Sequence, residues 1–297
     1  MPLRSALRLI RPHQWIKNGF VFVGLIFGHA WTDPRLIADV LMLFAAFCLV
    51  SSAVYVMNDL ADREADRMHP IKRSRPLARG DIGAGTALAL CIALALGGMG
   101  LAALVSLTAL SIAAAYVVLN MAYSAGLKHV AILDVFLIAA GFMLRILAGT
   151  LGIGIAPSKW LLLCGLMLTL FLGFCKRRAE LTEVEGAEGA GRSTGQRAVL
   201  DGYTAPLIDL LIAVSVADAA IGYALYTVDQ ETILLHGTDR LMLTLPFVLY
   251  GLFRYLQLVY SKGGGADPAW ELLHDPHLIA AIAGWLGAIW WLLAAGR

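Results

Sequence analysis

Long uncharged stretches dominate the chain, at positions 19–32, 40–57, 82–127, 160–175, 241–253 and 277–296. A membrane-crossing helix needs about 20 mostly apolar residues to span roughly 30 Å of hydrocarbon. The run 82–127 is therefore long enough for two helices, with a turn near Ser106 to Thr108. Two more segments tolerate internal charge: about 130–155, with Asp134 and Arg145, and about 206–228, with Asp209 and Asp218. The pattern predicts nine transmembrane helices, an all-α polytopic membrane protein forming one integral-membrane domain over 1–297.

Composition agrees. Of 297 residues 59% are hydrophobic and only 15% charged, and mean hydropathy is +0.75. Soluble chains carry about a quarter charged residues, so a soluble enzyme, a disordered chain and a disulfide scaffold are all excluded. Cys48, Cys91, Cys164 and Cys175 lie in or beside apolar runs without the spacing of a metal knuckle, and read as packing thiols. Arg4, Arg8 and Arg11 precede an apolar stretch that lacks a small-x-small cleavage site, so this segment reads as a retained first helix.

The net charge of +2 matters less than its distribution. With nine spans, the face shared by the N-terminus carries 17 Lys and Arg residues, including Arg192, Arg197 and Lys262; the opposite face carries Arg35, Lys159, Arg240 and Arg297. This bias predicts a cytoplasmic N-terminus, Gly195 and Gly263 on the cytoplasmic side, and a C-terminus outside. The pieces 58–81, 176–205 and 261–276 are then all cytoplasmic, with 183–195 reading as a flexible loop.

The densest polar signal is Asn58-Asp59-Leu-Ala-Asp62-Arg-Glu-Ala-Asp66, directly after an apolar helix. Asn58, Asp62 and Asp66 recur at i, i+4 and i+8, which predicts one helical face lined with oxygen atoms. Such a row suits Mg²⁺, a hard cation bound by one or two carboxylates together with water and substrate phosphates. Ordinary i+4 pairing of a solvated helix end is the plain alternative. The adjoining stretch His69-Pro-Ile-Lys72-Arg73-Ser-Arg75-Pro76-Leu-Ala-Arg79 shifts the balance, because its cations suit a phosphate-rich ligand beside the metal.

These motifs resemble the UbiA-type prenyltransferase superfamily. Three stretches look closest to its decaprenyl-phosphate phosphoribosyltransferase branch: Arg11-Pro-His-Gln-Trp15-Ile-Lys17-Asn18, the segment from Asn58 to Gly80, and Tyr123-Ser124-Ala-Gly-Leu-Lys128-His129. The likeness continues through Asp134, Gly141-Phe-Met-Leu-Arg145 and Lys176-Arg177-Arg178-Ala-Glu180-Leu181. It implies a UbiA-like helical bundle with a cytoplasmic-side active site, Mg²⁺ held by Asn58, Asp59, Asp62 and Asp66, and Asn58, Asp62 and Asp66 acting in catalysis. It further implies substrate binding by Lys17, Lys72, Arg73, Arg75, Tyr123, Ser124, Lys128, Asp134, Arg145, Lys176, Arg177, Arg178 and Glu180. Where aromatic prenyltransferases of the superfamily carry a second acidic cluster, this chain reads Lys176-Arg177-Arg178-Ala-Glu180. Three cations there oppose a second metal and favour direct binding of a phosphate.

The implied reaction moves 5-phosphoribose from 5-phosphoribosyl 1-diphosphate to a polyprenyl phosphate, releasing diphosphate, in a bacterial inner membrane and for cell-envelope synthesis. The partners are those two substrates and membrane lipid, with no nucleic acid; the oligomeric state stays open. An anionic acceptor phosphate needs no general base, which fits seven histidines without catalytic or metal-ligand spacing. Two alternatives stay open: an aromatic prenyltransferase using a prenyl diphosphate, and a transporter with a charged gate. Asp134 and Arg145 share a face of the fifth helix but lie about 16 Å apart along it, too far to pair.

Overall fold

The computed structural model describes residues 3–28, 30–68, 72–186, 197–261 and 263–295. Arg192, Gly195, Lys262, Arg297 and His69 lie outside the described residues. Those described form helices joined by turns and loops, with no strand among them, and they divide into two compact units: 1–128 with 140–157, and 129–139 with 158–297.

The first unit begins with α1 (Leu3–Ile10), a 3₁₀ helix over Pro12–Phe22, and α2 (Val23–Phe27). α3 (Pro34–Ala61) comes next, then α4 (Arg63–Met68), α5 (Pro76–Arg79), α6 (Ala84–Val105) and α7 (Leu107–Ala125). α8 (Leu133–Ala148) contributes residues 133–139 to the second unit and the remainder to the first. The second unit continues with α9 (Lys159–Gly186), α10 (Arg197–Leu200), α11 (Ala205–Val228), α12 (Gln230–His236), α13 (Leu245–Ser261), α14 (Pro268–His274) and α15 (Pro276–Ala295).

Eight of these segments are long and apolar enough to cross a membrane among the described residues. They match the predicted spans from the second onward, and the two helices of run 82–127 meet at Ser106, whose side chain caps α7 by accepting from Ala109 N. The expected first span differs. Arg11 takes a left-handed conformation (φ 52°), Pro12 comes directly after it, and the chain runs on as 11 residues of 3₁₀ helix and five of α-helix. Proline supplies no N–H, and a residue with positive φ cannot sit within an α-helix, so the two together separate α1 from the 3₁₀ helix. Because a 3₁₀ helix rises about 2.0 Å per residue rather than 1.5 Å, the 3₁₀ helix and α2 still reach about 30 Å.

α3 is the spine of the first unit. Asp33 caps it by accepting from the backbone N–H of Arg35 (2.8 Å) and Leu36, and Pro34 takes the first helical position, where a missing N–H costs nothing. Its buried side, with Val40, Leu43, Phe47 and Val50, forms the core with Ile112 and Tyr116 of α7. α6 comes very close at Gly98: a Cβ there would lie 2.6 Å from Val50 Cγ2 and 2.8 Å from the Ala46 carbonyl. Gly149, just past α8, is tighter still, since a Cβ would lie 1.7 Å from the Val21 carbonyl.

In the second unit α9 packs along α11, and α13 along α15. Phe171, Phe174, Ile208, Ile212, Tyr255 and Leu258 form its core with Val135 from the start of α8. The expected loop 183–195 begins later than the sequence implies, because α9 continues through Gly186. Glutamate is a good helix former, so Glu183 and Glu185 extend an existing helix readily.

Candidate active site

The polar motif sits where α3 ends. The helix stops at Asp62, whose backbone N–H donates to the Asn58 carbonyl, and α4 restarts at once, with Asp66 N donating to the Asp62 carbonyl (2.8 Å). The row of oxygens is thereby divided between two sets of partners. Asn58 Oδ1 accepts from Ser124 Oγ at 2.7 Å, and Asp62 Oδ1 lies 3.8 Å from Lys128 Nζ, so both face the turn that ends α7. Asp59 and Asp66 instead share one guanidinium: Arg75 Nη1 is 3.1 Å from Asp59 Oδ1 and 2.7 Å from Asp66 Oδ2.

Asp59 is only 2% exposed and also receives Arg11 Nη2 at 2.6 Å. Its carboxylate, expected among the metal ligands, is thus committed to two arginines. Arg11 itself stacks over the Tyr55 ring at 5.0 Å. Among the described residues no three His, Cys, Asp or Glu side chains converge as a protein-only metal cage. Asn58, Asp62 and Asp66 offer an amide and two carboxylates. Among the described residues the cation paired with Asp62 is Lys128, at 3.8 Å, and the Asp62 side chain is 45% exposed. This donor set fits Mg²⁺, which keeps several waters and shares substrate phosphates.

Of the basic loop, Lys72 and Arg73 fall on a short 3₁₀ turn (Lys72–Ser74), and Arg73 is exposed. Arg79 pairs with Asp81, holding that half-buried carboxyl below its usual range, helped by Ser5 Oγ at 3.2 Å. Lys17 and Tyr123 are half-buried in the same unit, on the N-terminal 3₁₀ helix and on α7.

Arg145 is 5% exposed within α8. Its Nε donates to Asn18 Oδ1 (2.7 Å), Nη1 to the Gly141 carbonyl (2.8 Å) and Nη2 to Tyr116 Oη (2.9 Å), and the guanidinium lies 4.6 Å from the centre of the Tyr116 ring. It and Asp134 keep separate partners, as their spacing requires.

In the second unit the basic cluster is neutralised one residue at a time. Arg177, 6% exposed, places Nε 2.7 Å from Asp134 Oδ2 and pairs through Nη1 with Glu180. Arg178 Nε donates to Asp209 Oδ1 at 2.8 Å, and Lys176 Nζ stands 3.9 Å from Glu180. Two tyrosines complete this arrangement. Tyr203 Oη donates to Asp134 Oδ1 (2.7 Å) and accepts from Ile132 N (2.6 Å); Tyr260 Oη donates to Asp209 (2.6 Å). Burial, reinforced by the hydrogen bond to Asp134, raises the Tyr203 phenol above its ordinary pKa and keeps it a donor.

Sequence reasoning left Arg11, Tyr203, Asp209 and Tyr260 without a role. Arg11 opens the motif Arg11 to Asn18 and so carried a signal. The two tyrosines carried none beyond their place at a helix start and a helix end.

Among the described residues the chain is helical, with eight segments apolar enough to cross a membrane and a carboxylate motif at the end of α3. The chain belongs to the UbiA prenyltransferase family, whose sequence profile matches residues 19–275. It is 33% identical to the decaprenyl-phosphate phosphoribosyltransferase of Corynebacterium glutamicum over 95% of this chain and 85% of that protein. It is 31% identical to the Mycolicibacterium smegmatis protein of the same name, over 95% and 90% of the two chains. A UbiA homologue from Archaeoglobus fulgidus, solved with DMAPP and Mg²⁺, shares the fold at a TM-score of 0.68 and 18% identity, covering 98% of this chain and 99% of the other.

Proposed function

We propose that this integral membrane transferase moves the 5-phosphoribosyl group of 5-phosphoribosyl 1-diphosphate onto a polyprenyl phosphate, releasing diphosphate, at the cytoplasmic face of a bacterial inner membrane. The observation that carries the reading is the near full-length likeness to two proteins named for that reaction.

The chemistry asks little of a general base. The acceptor phosphate is already anionic near neutral pH, so it attacks the anomeric carbon without losing a proton, and the C1–O bond to diphosphate breaks. Charge accumulates on the departing diphosphate. A Mg²⁺ ion bound with the donor supplies electrostatic stabilisation there. Asn58, Asp62 and Asp66 are the groups that would hold it. Lys128, 3.8 Å from Asp62, and Ser124, bonded to Asn58, would bind phosphate oxygens next to those ligands. Lys17, Lys72, Arg73 and Tyr123 add cations and a hydroxyl in the same unit.

Within the second unit Lys176 and Arg178 are the candidate phosphate ligands, with side chains 38% and 20% exposed. Arg177, with Asp134 and Glu180 already on its guanidinium, is assigned to holding those carboxylates in place. Arg145 likewise acts by pinning Asn18 and Tyr116.

The test is label transfer. Purified protein is incubated with radiolabelled phosphoribosyl diphosphate, Mg²⁺ and a polyprenyl phosphate, then extracted with organic solvent. Label in the lipid phase that depends on the acceptor supports the reading; label that stays in water contradicts it.

A further inference from the structure

Arg75 bridges two carboxylates seven residues apart on different helices, with a single nitrogen 2.7 Å from Asp66 and 3.1 Å from Asp59. Asp59 has a second guanidinium, that of Arg11, at 2.6 Å, whereas among the described residues the ion pair recorded for Asp66 is with Arg75. The two carboxylates are 3% and 5% exposed at their side chains, and Arg75 is 29% exposed. Two nearly buried anions this close repel strongly unless a cation sits between them.

We infer that Arg75 is a built-in stand-in for the divalent cation: it neutralises Asp66 while the site is unloaded, and swings off Asp66 when the cation arrives. The inference rests on the proposed metal role of Asp66. Asp59 does not need to move, because Arg11 keeps it neutral whichever way Arg75 points. Arg75 is also placed to move. It lies at the junction of the 3₁₀ turn Lys72–Ser74 and α5, in extended backbone (φ −64°, ψ 143°), and caps no helix through its side chain. Once off Asp66, its guanidinium becomes free to take a phosphate oxygen of the incoming donor. Loading of cation and donor would thus be coupled through one side chain, and the unloaded enzyme would avoid exposing an uncompensated acidic pair to stray cations.

The test reads the side chain itself. The full chain, in detergent, is modified with phenylglyoxal, which reacts with accessible guanidinium groups, and the rate at each arginine is followed by mass spectrometry with and without saturating Mn²⁺. Arg75 should react several-fold faster when Mn²⁺ is bound, while exposed Arg73 should react equally in both conditions. In parallel, Mn²⁺ affinity is read by electron paramagnetic resonance. Arg75→Ala should tighten it about tenfold or more, the scale of one charge-assisted contact removed as competitor. Arg67→Ala, which removes the same charge next to Asp66 but pairs with Glu64, should leave it within about twofold. Mn²⁺ that binds without changing the reactivity of Arg75, or that lowers it, overturns the inference and leaves the metal reading standing. Absence of Mn²⁺ binding in both wild type and Arg75→Ala removes the metal reading, and the inference with it.

Discussion

Arg145 Nε and Asn18 Oδ1 meet at 2.7 Å across 127 positions of sequence, both side chains buried. Asn18 Nδ2 reaches on to Ser51 Oγ (3.3 Å) and Cys48 Sγ (3.4 Å), so one amide ties the N-terminal 3₁₀ helix to α3 and α8. Neutral acceptors and an aromatic face surround this guanidinium in a span where an unsatisfied charge is expensive. Asn18→Ala should destabilise the protein by about 2 kcal/mol, because it leaves a buried charged donor without its partner. Tyr116→Phe, which keeps the ring, should cost less. Thermal unfolding in detergent checks the order, and equal melting temperatures for wild type and Asn18→Ala would contradict it.

Asp62→Asn keeps the size of the side chain and removes its charge. If Asp62 holds a cation against the leaving diphosphate, kcat/KM should fall about a hundredfold, the scale of losing one electrostatic stabiliser of the transition state. The fall should appear with folding intact, judged by an unchanged melting temperature. Near-native kinetics would remove Asp62 from the site.

The basic cluster separates into two roles. Lys176→Ala should raise KM for a phosphate substrate about tenfold, with stability held, as expected for one charge-assisted contact. Arg177→Ala should act chiefly on stability, because it removes the buried guanidinium shared by Asp134 and Glu180. Steady-state kinetics and melting curves on both variants check the division, and the reverse pattern would exchange the two roles.

Much of this architecture is legible in the sequence. The uncharged runs mark six of the eight spans because lipid admits little else, two segments with internal charge supply the others, and Ser106 marks the turn in the longest run because serine caps helices. The 3₁₀ form of Pro12–Phe22 is not legible, since hydropathy is blind to the number of residues per turn. It is settled by close contacts at Gly149 and by the buried amide of Asn18. The carboxylate motif is also legible, but the partner of each carboxylate is not. Spacing aligns Asn58, Asp62 and Asp66, whereas the folded chain sends Asp66 to Arg75 and gives Asp59 to Arg11 and Arg75. Of the partners of the cations at 176–178, only Glu180 is visible locally in the sequence, because Asp134 and Asp209 are distant along the chain.

Ile132 has φ 69°, a left-handed conformation that strains a β-branched residue, and its N–H is held by Tyr203 Oη. The residue is 41% exposed, so only part of its surface is packed. Ile132→Gly should stabilise the protein by about 1 kcal/mol by relieving that strain. A lower melting temperature would contradict it.

Asp275 caps α15, accepting from the backbone N–H of His277 and Leu278, and is gripped by Arg254 through Nε and Nη2 at 3.1 and 2.6 Å. The Arg254 hydrogen bonds hold its carboxyl down at about 2. An unfolded aspartate titrates near 3.9. A depressed folded pKa means that the stabilisation is fully present above about pH 4 and is lost as pH falls towards 2. Unfolding midpoints measured from pH 6 to pH 2.5 should show this loss in wild type and a shallower slope in Asp275→Asn. Parallel slopes would contradict it.

The central claim is the identity of the donor, and one dual-label reaction tests it most directly. Purified protein receives ¹⁴C-labelled 5-phosphoribosyl 1-diphosphate and ³H-labelled prenyl diphosphate together, with Mg²⁺, a polyprenyl phosphate and a hydroxybenzoate acceptor. The products are separated by chromatography. Transfer of ¹⁴C alone, into a lipid that retains the acceptor phosphate, is the predicted result. Transfer of ³H to the aromatic acceptor, with ¹⁴C left in the aqueous phase, would contradict the account and make the protein an aromatic prenyltransferase.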